Sequence, residues 1–263
     1  MLNSYYVRLI YSQNMNKQNI NQIWLSLEYP TTKQIFTQDL IAELPAPVQR
    51  YFLHAITLGT PLATGVKLKM QGYFQPNKDQ KFTMQATEIL TLKGFVWQAV
   101  MGNKLFNIKG ADYYYNNSGK VEFKLWGLIP LVKEENSDVS RSSIGRCGGE
   151  LFWLPSALLP QNQVSWQAID NNIIQASFNI DSDTVNLTFI IDENGRVLEA
   201  KLPRWGNQTT DKIWQYIPFG GTFSQETSFQ GFTIPSQINA GWWLGTEKYN
   251  VFFQATIEAA DFF

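Results

Sequence analysis

DVSRSSIGRCGGELFWLPSALLP, residues Asp138 to Pro160, decides how this chain is read. Ile144, Cys147, Leu151, Leu154 and Leu158 recur at three- and four-residue intervals, the spacing of one helical face. Gly145, Gly148 and Gly149 make a second stripe on which a neighbour can approach the backbone closely, at a cost of about 1 kcal/mol of helix stability per glycine. Almost everything on either side alternates with a period of two. The pattern predicts a central helix over 138–160, set between two groups of strands.

Moving outward, Val66, Leu68, Met70, Gly72 and Phe74 alternate with Lys67, Lys69, Gln71 and Tyr73, as in a half-buried strand. Turn signals follow at Pro76–Asp79, Gly94, Gly102-Asn103, Gly110, Asn116–Lys120 and Gly127. Strand periodicity resumes at Val164 and runs to the C-terminus, with Asn194-Gly195 as a hairpin signal. Turn signals about 8–12 residues apart are the signature of an antiparallel meander. The fold class expected is mainly β with a few helices. About thirteen strands form one large antiparallel sheet that curls into a half-open barrel. An N-terminal helical segment, at 19–27 and 44–56, and the central lid helix cover it. Residues 1–18 are polar and read as a loose arm, which leaves 19–263 as a single β-rich domain.

Composition narrows the function. The 263 residues carry a net charge of −1, so no basic footprint for nucleic acid exists. Only 16% of residues are charged while 14% are aromatic, a balance that favours sheet over disorder. Cys147 is the one cysteine, and its place on the apolar helix face makes it a buried thiol. The N-terminal stretch lacks the apolar core of a signal peptide, and no apolar run is long enough to span a bilayer. The expected compartment is the cytoplasm, with peripheral membrane association left open.

Signs of chemistry are sparse. His54 is the single histidine, and no catalytic triad, phosphate loop or zinc motif can be assembled. No cofactor or metal is expected. Asp138 with Arg141, and Arg146 with Glu150, are spaced to bridge on a helix surface. Alternatively, Arg141 or Arg146 faces the cavity mouth and holds a carboxylate or phosphate head group. Glu88, Asp112 and Glu226 are strand carboxylates in apolar surroundings, which an enzyme would use with His54 or Arg141. Aromatic-lined concave sheets are usual sites for small molecules. The candidate ligand-binding residues on the sheet are Val66, Leu68, Met70, Trp97, Phe123 and Trp126. Phe152 and Trp153 join them from the lid, with Arg141 and Arg146. Of Trp242 and Trp243, one points inside, and the other needs cover from a helix or a protein partner.

The strings LPAPVQRYF (44–52), GFVWQA (94–99), LWGLIPLV (125–132), GELFWLPSALLP (149–160) and IPSQINAGWW (234–243) occur in the same order in an uncharacterised bacterial family. The chain resembles that family from about Trp24 to Asp261. The resemblance implies no activity and carries over no catalytic residue. By element order alone the chain is similar to the lipoprotein-carrier fold of LolA and LolB, half-barrels with helical lids and a lipid-binding cavity. The expected function is a non-enzymatic module holding a lipid or other hydrophobic ligand between sheet and lid. A structural or protein-interaction domain with a filled core, and a hydrolase-type enzyme on a hydrophobic substrate, are the alternatives.

Overall fold

The computed structural model describes residues 20–29 and 33–263; the arm expected at 1–18 lies outside the described residues. Strands β1 (Gly65–Asn77), β2 (Gln80–Thr91), β3 (Gly94–Gly102), β4 (Asn107–Tyr115), β5 (Ser118–Leu125) and β6 (Ile129–Glu134) form a first meander. A second runs through β7 (Ser165–Ala168), β8 (Ile173–Ile180), β9 (Asp183–Ile191), β10 (Val197–Gly206), β11 (Gln215–Phe229), β12 (Phe232–Trp242) and β13 (Asn250–Phe262). The two meanders meet where β1 pairs with β13, making one antiparallel sheet of order 6-5-4-3-2-1-13-12-11-10-9-8-7. It is unclosed, with β6 and β7 at opposite edges. Pro130 in β6 and the shortness of β7 make both edges poor templates for further pairing.

That topology dictates the central segment. The chain leaves the sheet at β6 and must re-enter at β7, so the connection crosses the concave face. Helix α3 (Ser137–Gly149) does so, touching β4 and β5 on one half of the sheet and β9 and β10 on the other. Asn136 caps it, its side chain accepting from the Val139 N–H at 2.9 Å. The helix is shorter than the expected 138–160. Gly148 and Gly149 weaken it, and Pro155 removes an N–H and drives Leu154 out of the helical region, to φ −130° and ψ 68°. Leu151–Trp153, Pro155–Leu158 and Pro160–Asn162 are instead three short 3-10 turns. Buried polar groups tie them to the sheet: Trp153 Nε1 donates to the Pro235 carbonyl, Ser156 Oγ to Ala63 and Trp166 Nε1 to Leu158.

Two further helices flank the sheet. Helix α1 (Ile20–Leu27) sits on the convex face rather than over the concave one, packing Ile23 and Leu27 against Ile89 and Val96. Helix α2 (Ala46–Ala55) lies at the β7–β8 end, where Tyr51 and Phe52 meet Trp166 and Phe189 with ring centroids 5.2–5.7 Å apart. Together α2 and the 3-10 turns fill one end of the concave face solidly.

Gly110, expected as a turn, lies inside a strand, and so does Gly220. Gly110 is mid-β4 and Gly220 is mid-β11, each where another strand's backbone crowds in. A Cβ would stand 2.0 Å from the Glu122 carbonyl oxygen at Gly110 and 2.1 Å from that of Ala200 at Gly220. Close approach, not chain reversal, is their reason.

Candidate functional site

Register places one row of side chains across the concave face. Leu68 of β1 faces Glu88 of β2, Glu88 faces Trp97 of β3, Trp97 faces Asp112 of β4 and Asp112 faces Val121 of β5. Two carboxylates thus enter an otherwise apolar surface. Arg146, on the helix above, reaches both. Its Nη1 donates to Asp112 at 2.6 Å, its Nε donates to Glu150 at 2.9 Å, and its Nη2 stands 3.8 Å from Glu88. The guanidinium lies over the rings of Phe95 and Trp97, at 4.7 and 5.0 Å.

The electrostatics follow from burial. Glu88 is fully buried, which, with repulsion from Glu150, raises its pKa well above the usual 4.5. The shift favours the protonated form of Glu88, in a cluster where both Glu88 oxygens, Asp112 Oδ1 and Glu150 Oε2 are buried without a hydrogen-bond partner. Burial acts to lower the Arg146 pKa, but Glu150, Asp112 and Glu88 together raise it. Burial likewise pushes the Cys147 thiol up, so it is inert.

Beside this cluster the concave face is not filled. A cavity of about 560 Å³ extends from Arg146, Gly149 and Glu150 toward the β1–β2 hairpin, where Phe74, Pro76 and Phe82 line it. Its opposite wall is β10 to β13, with Leu202, Phe219, Phe223 and Ala240. The glycine stripe itself leaves no gap. Gly148 packs on Val185, Gly145 on Arg204 and Gly149 on Leu202. The space opens past the helix's C-terminal end, where Phe152 packs against Phe223 with tilted rings and centroids 4.6 Å apart.

Five of the ten residues expected at a ligand site line this cavity: Trp97, Phe123, Phe152, Trp153 and Arg146. Val66, Leu68 and Met70 share the same face of β1 but belong to the filled core, at no more than 2% exposure. The cavity begins at Phe74, further along that strand. Trp126 is outside because β5 ends at Leu125; Trp126 adopts φ 53° in the following turn, and its Nε1 donates to the Leu105 carbonyl. Arg141 is on the surface, 3.6 Å from Asp183 and over the rings of Trp205 and Tyr216. Arg146 is not free to hold an anionic head group, since carboxylates of the chain already occupy it.

The residues named for an enzyme fall in three places, with Arg141 on the surface. His54 pairs with Glu226 at 2.9 Å, half-buried and outside the cavity lining, while Asp112 is inside it. Among the described residues no three His, Cys, Asp or Glu side chains are grouped to hold a metal ion. The two tryptophans expected at a partner surface are both half-buried. Trp242 lines the cavity. Trp243 Nε1 donates to the Gln208 carbonyl at 2.8 Å beneath Lys248.

Among the lining residues that sequence reading missed, Phe74, Phe219 and Phe223 included, the charged one on β10 is Arg204. It occupies the inward parity of β10, after Ala200 and Leu202, and a charge at that parity was the available signal.

No helix among the described residues is long and apolar enough to cross a membrane. No curated protein matches the chain. Among solved structures, it is similar to a LolA superfamily protein from Nitrosomonas europaea, at 9% identity and a TM-score of 0.42 over 82% of this chain and 92% of that one. It is also similar to a putative outer membrane lipoprotein-sorting protein domain from Vibrio parahaemolyticus, at 8% identity and a TM-score of 0.39 over 75% and 85%. A family's sequence profile matches residues 42–262, and the chain belongs to that family, the family of unknown function DUF6920.

Proposed function

We propose that the protein is a non-enzymatic binding module that holds a lipid or another apolar ligand in the cavity on the concave face of the sheet, past the C-terminal end of α3. The observation that carries this reading is the cavity itself. At about 560 Å³ it lies within the usual range of small-molecule sites, about 300–1,000 Å³, and aromatic and aliphatic side chains make up most of its wall. The approach is apolar too: Phe106 and Leu131 line the opening and are themselves 41% and 48% exposed.

The energetics suit an alkyl chain. Burying fifteen methylenes contributes about 12 kcal/mol at about 0.8 kcal/mol each. Lost freedom on association removes about 5 kcal/mol. The remainder, about 7 kcal/mol, corresponds to a Kd near 10 μM. No catalytic group is needed for such binding.

Titration with a neutral sixteen-carbon alcohol, followed by the fluorescence of Trp97 and Trp153, tests the proposal. The expected result is saturable 1:1 binding in the low micromolar range. Absence of a saturable change would favour a structural or protein-interaction role.

A further inference from the structure

Arg204 is the buried cation that the polar cluster does not use. It is 9% exposed and lines the cavity. Its Nε donates to the Ser142 carbonyl at 3.0 Å, and its guanidinium lies over the rings of Phe219 and Trp242 at 4.5 and 5.0 Å. These contacts fix the plane of the group, and its two amino nitrogens donate to none of the described residues. The nearby carboxylates make no ion pair with it: Asp112 and Glu150 each give one oxygen to Arg146, and their attraction reaches Arg204 only at longer range. Burial, and then the charge of Arg146, lower its pKa to about 10, so that attraction from Asp112 and Glu150 does not make up the deficit. A cation left buried without a partner is costly, and chains retain one chiefly where a counter-charge arrives.

We propose that Arg204 receives the anionic head group, carboxylate or phosphate, of a single-chain amphiphile whose alkyl chain runs through the cavity toward the β1–β2 hairpin. This rests on the reading of the cavity as a ligand site and adds the chemical class of the ligand. The planar fork of a guanidinium pairs with two oxygens of either head group, while the aromatic rings around it exclude water and strengthen the pairing. A cation at one end and apolar rings along the rest also fix which way the ligand enters: chain outward, head inward.

The experiment compares hexadecanol, hexadecanoate and hexadecyl phosphate by calorimetry at pH 7.5, each below its micelle-forming concentration, on the wild type, Arg204→Met and Arg204→Lys. A charge-assisted contact in a buried site predicts that the wild type binds at least one anion about ten- to a hundredfold more tightly than the alcohol. The tighter anion identifies the head group. Arg204→Met should reduce that preference to less than about threefold, and Arg204→Lys should keep part of it. Equal affinity of the wild type for all three compounds overturns the role of Arg204 and leaves the cavity reading standing, and this arm decides the matter even if Arg204→Met does not fold. Failure of all three to bind overturns the cavity reading itself.

Discussion

Replacing Arg146 by Met removes the one positive charge that holds Asp112 and Glu150, at 2.6 and 2.9 Å, in the interior. Taking away one partner of a buried ion pair costs about 3–5 kcal/mol, because the other is left charged and unsolvated. Against a total stability of about 5–15 kcal/mol, that loss is easily measured. Urea unfolding by tryptophan fluorescence and circular dichroism at pH 7 measures it. Adding Asp112→Asn and Glu150→Gln to Arg146→Met should recover at least half of the loss. A variant within about 1 kcal/mol of wild type, or no recovery in the triple variant, would refute the account of the cluster.

Other expectations concern neighbouring positions. Glu88, whose pKa is raised from 4.5, stays protonated in the fold while the unfolded chain has released its proton, so it destabilises progressively above pH 4.5 until its folded-state pKa is reached. Glu88→Gln should thus match wild type below that pH and exceed it at pH 7 in urea midpoint. Gly148→Ala puts a Cβ 2.8 Å from the stiff Val185 side chain, and overpacking of about 1–3 kcal/mol should outweigh a helix gain of about 1 kcal/mol. Gly149→Ala meets only the end of Leu202 at 3.0 Å and should leave stability unchanged or raise it; thermal melts distinguish the two. Ala240→Trp fills the cavity from β12 and should weaken hexadecanol binding at least tenfold in a fluorescence titration without loss of cooperative unfolding.

The sheet was legible because its evidence is local. Alternation such as Val66, Leu68, Met70 against Lys67, Lys69 survives in any antiparallel neighbour arrangement, and Asn194-Gly195 announces its own turn. Gly110 misled because close approach to another strand leaves the same mark in sequence as a turn. The central helix was legible as far as its glycine stripe, and Pro155 held the signal for its end. The site was harder. Parity says which face a side chain takes but not how far along the strand a filler reaches, so Val66, Leu68 and Met70 could not be told from Phe74. Likewise the Arg146–Asp112 contact joins residues far apart in the chain through the crossing of the concave face, which register alone specifies. Arg204 differed: a charge at an inward position of β10 was visible and carried the information.

The central claim is that an amphiphile occupies the concave cavity. Native mass spectrometry of the protein released gently from cells, before and after organic extraction, tests it most directly. The account predicts a single adduct of lipid mass at 1:1 stoichiometry, lost on extraction and absent from Ala240→Trp. A bare mass alone, from protein that also takes up no hexadecanol, would contradict it.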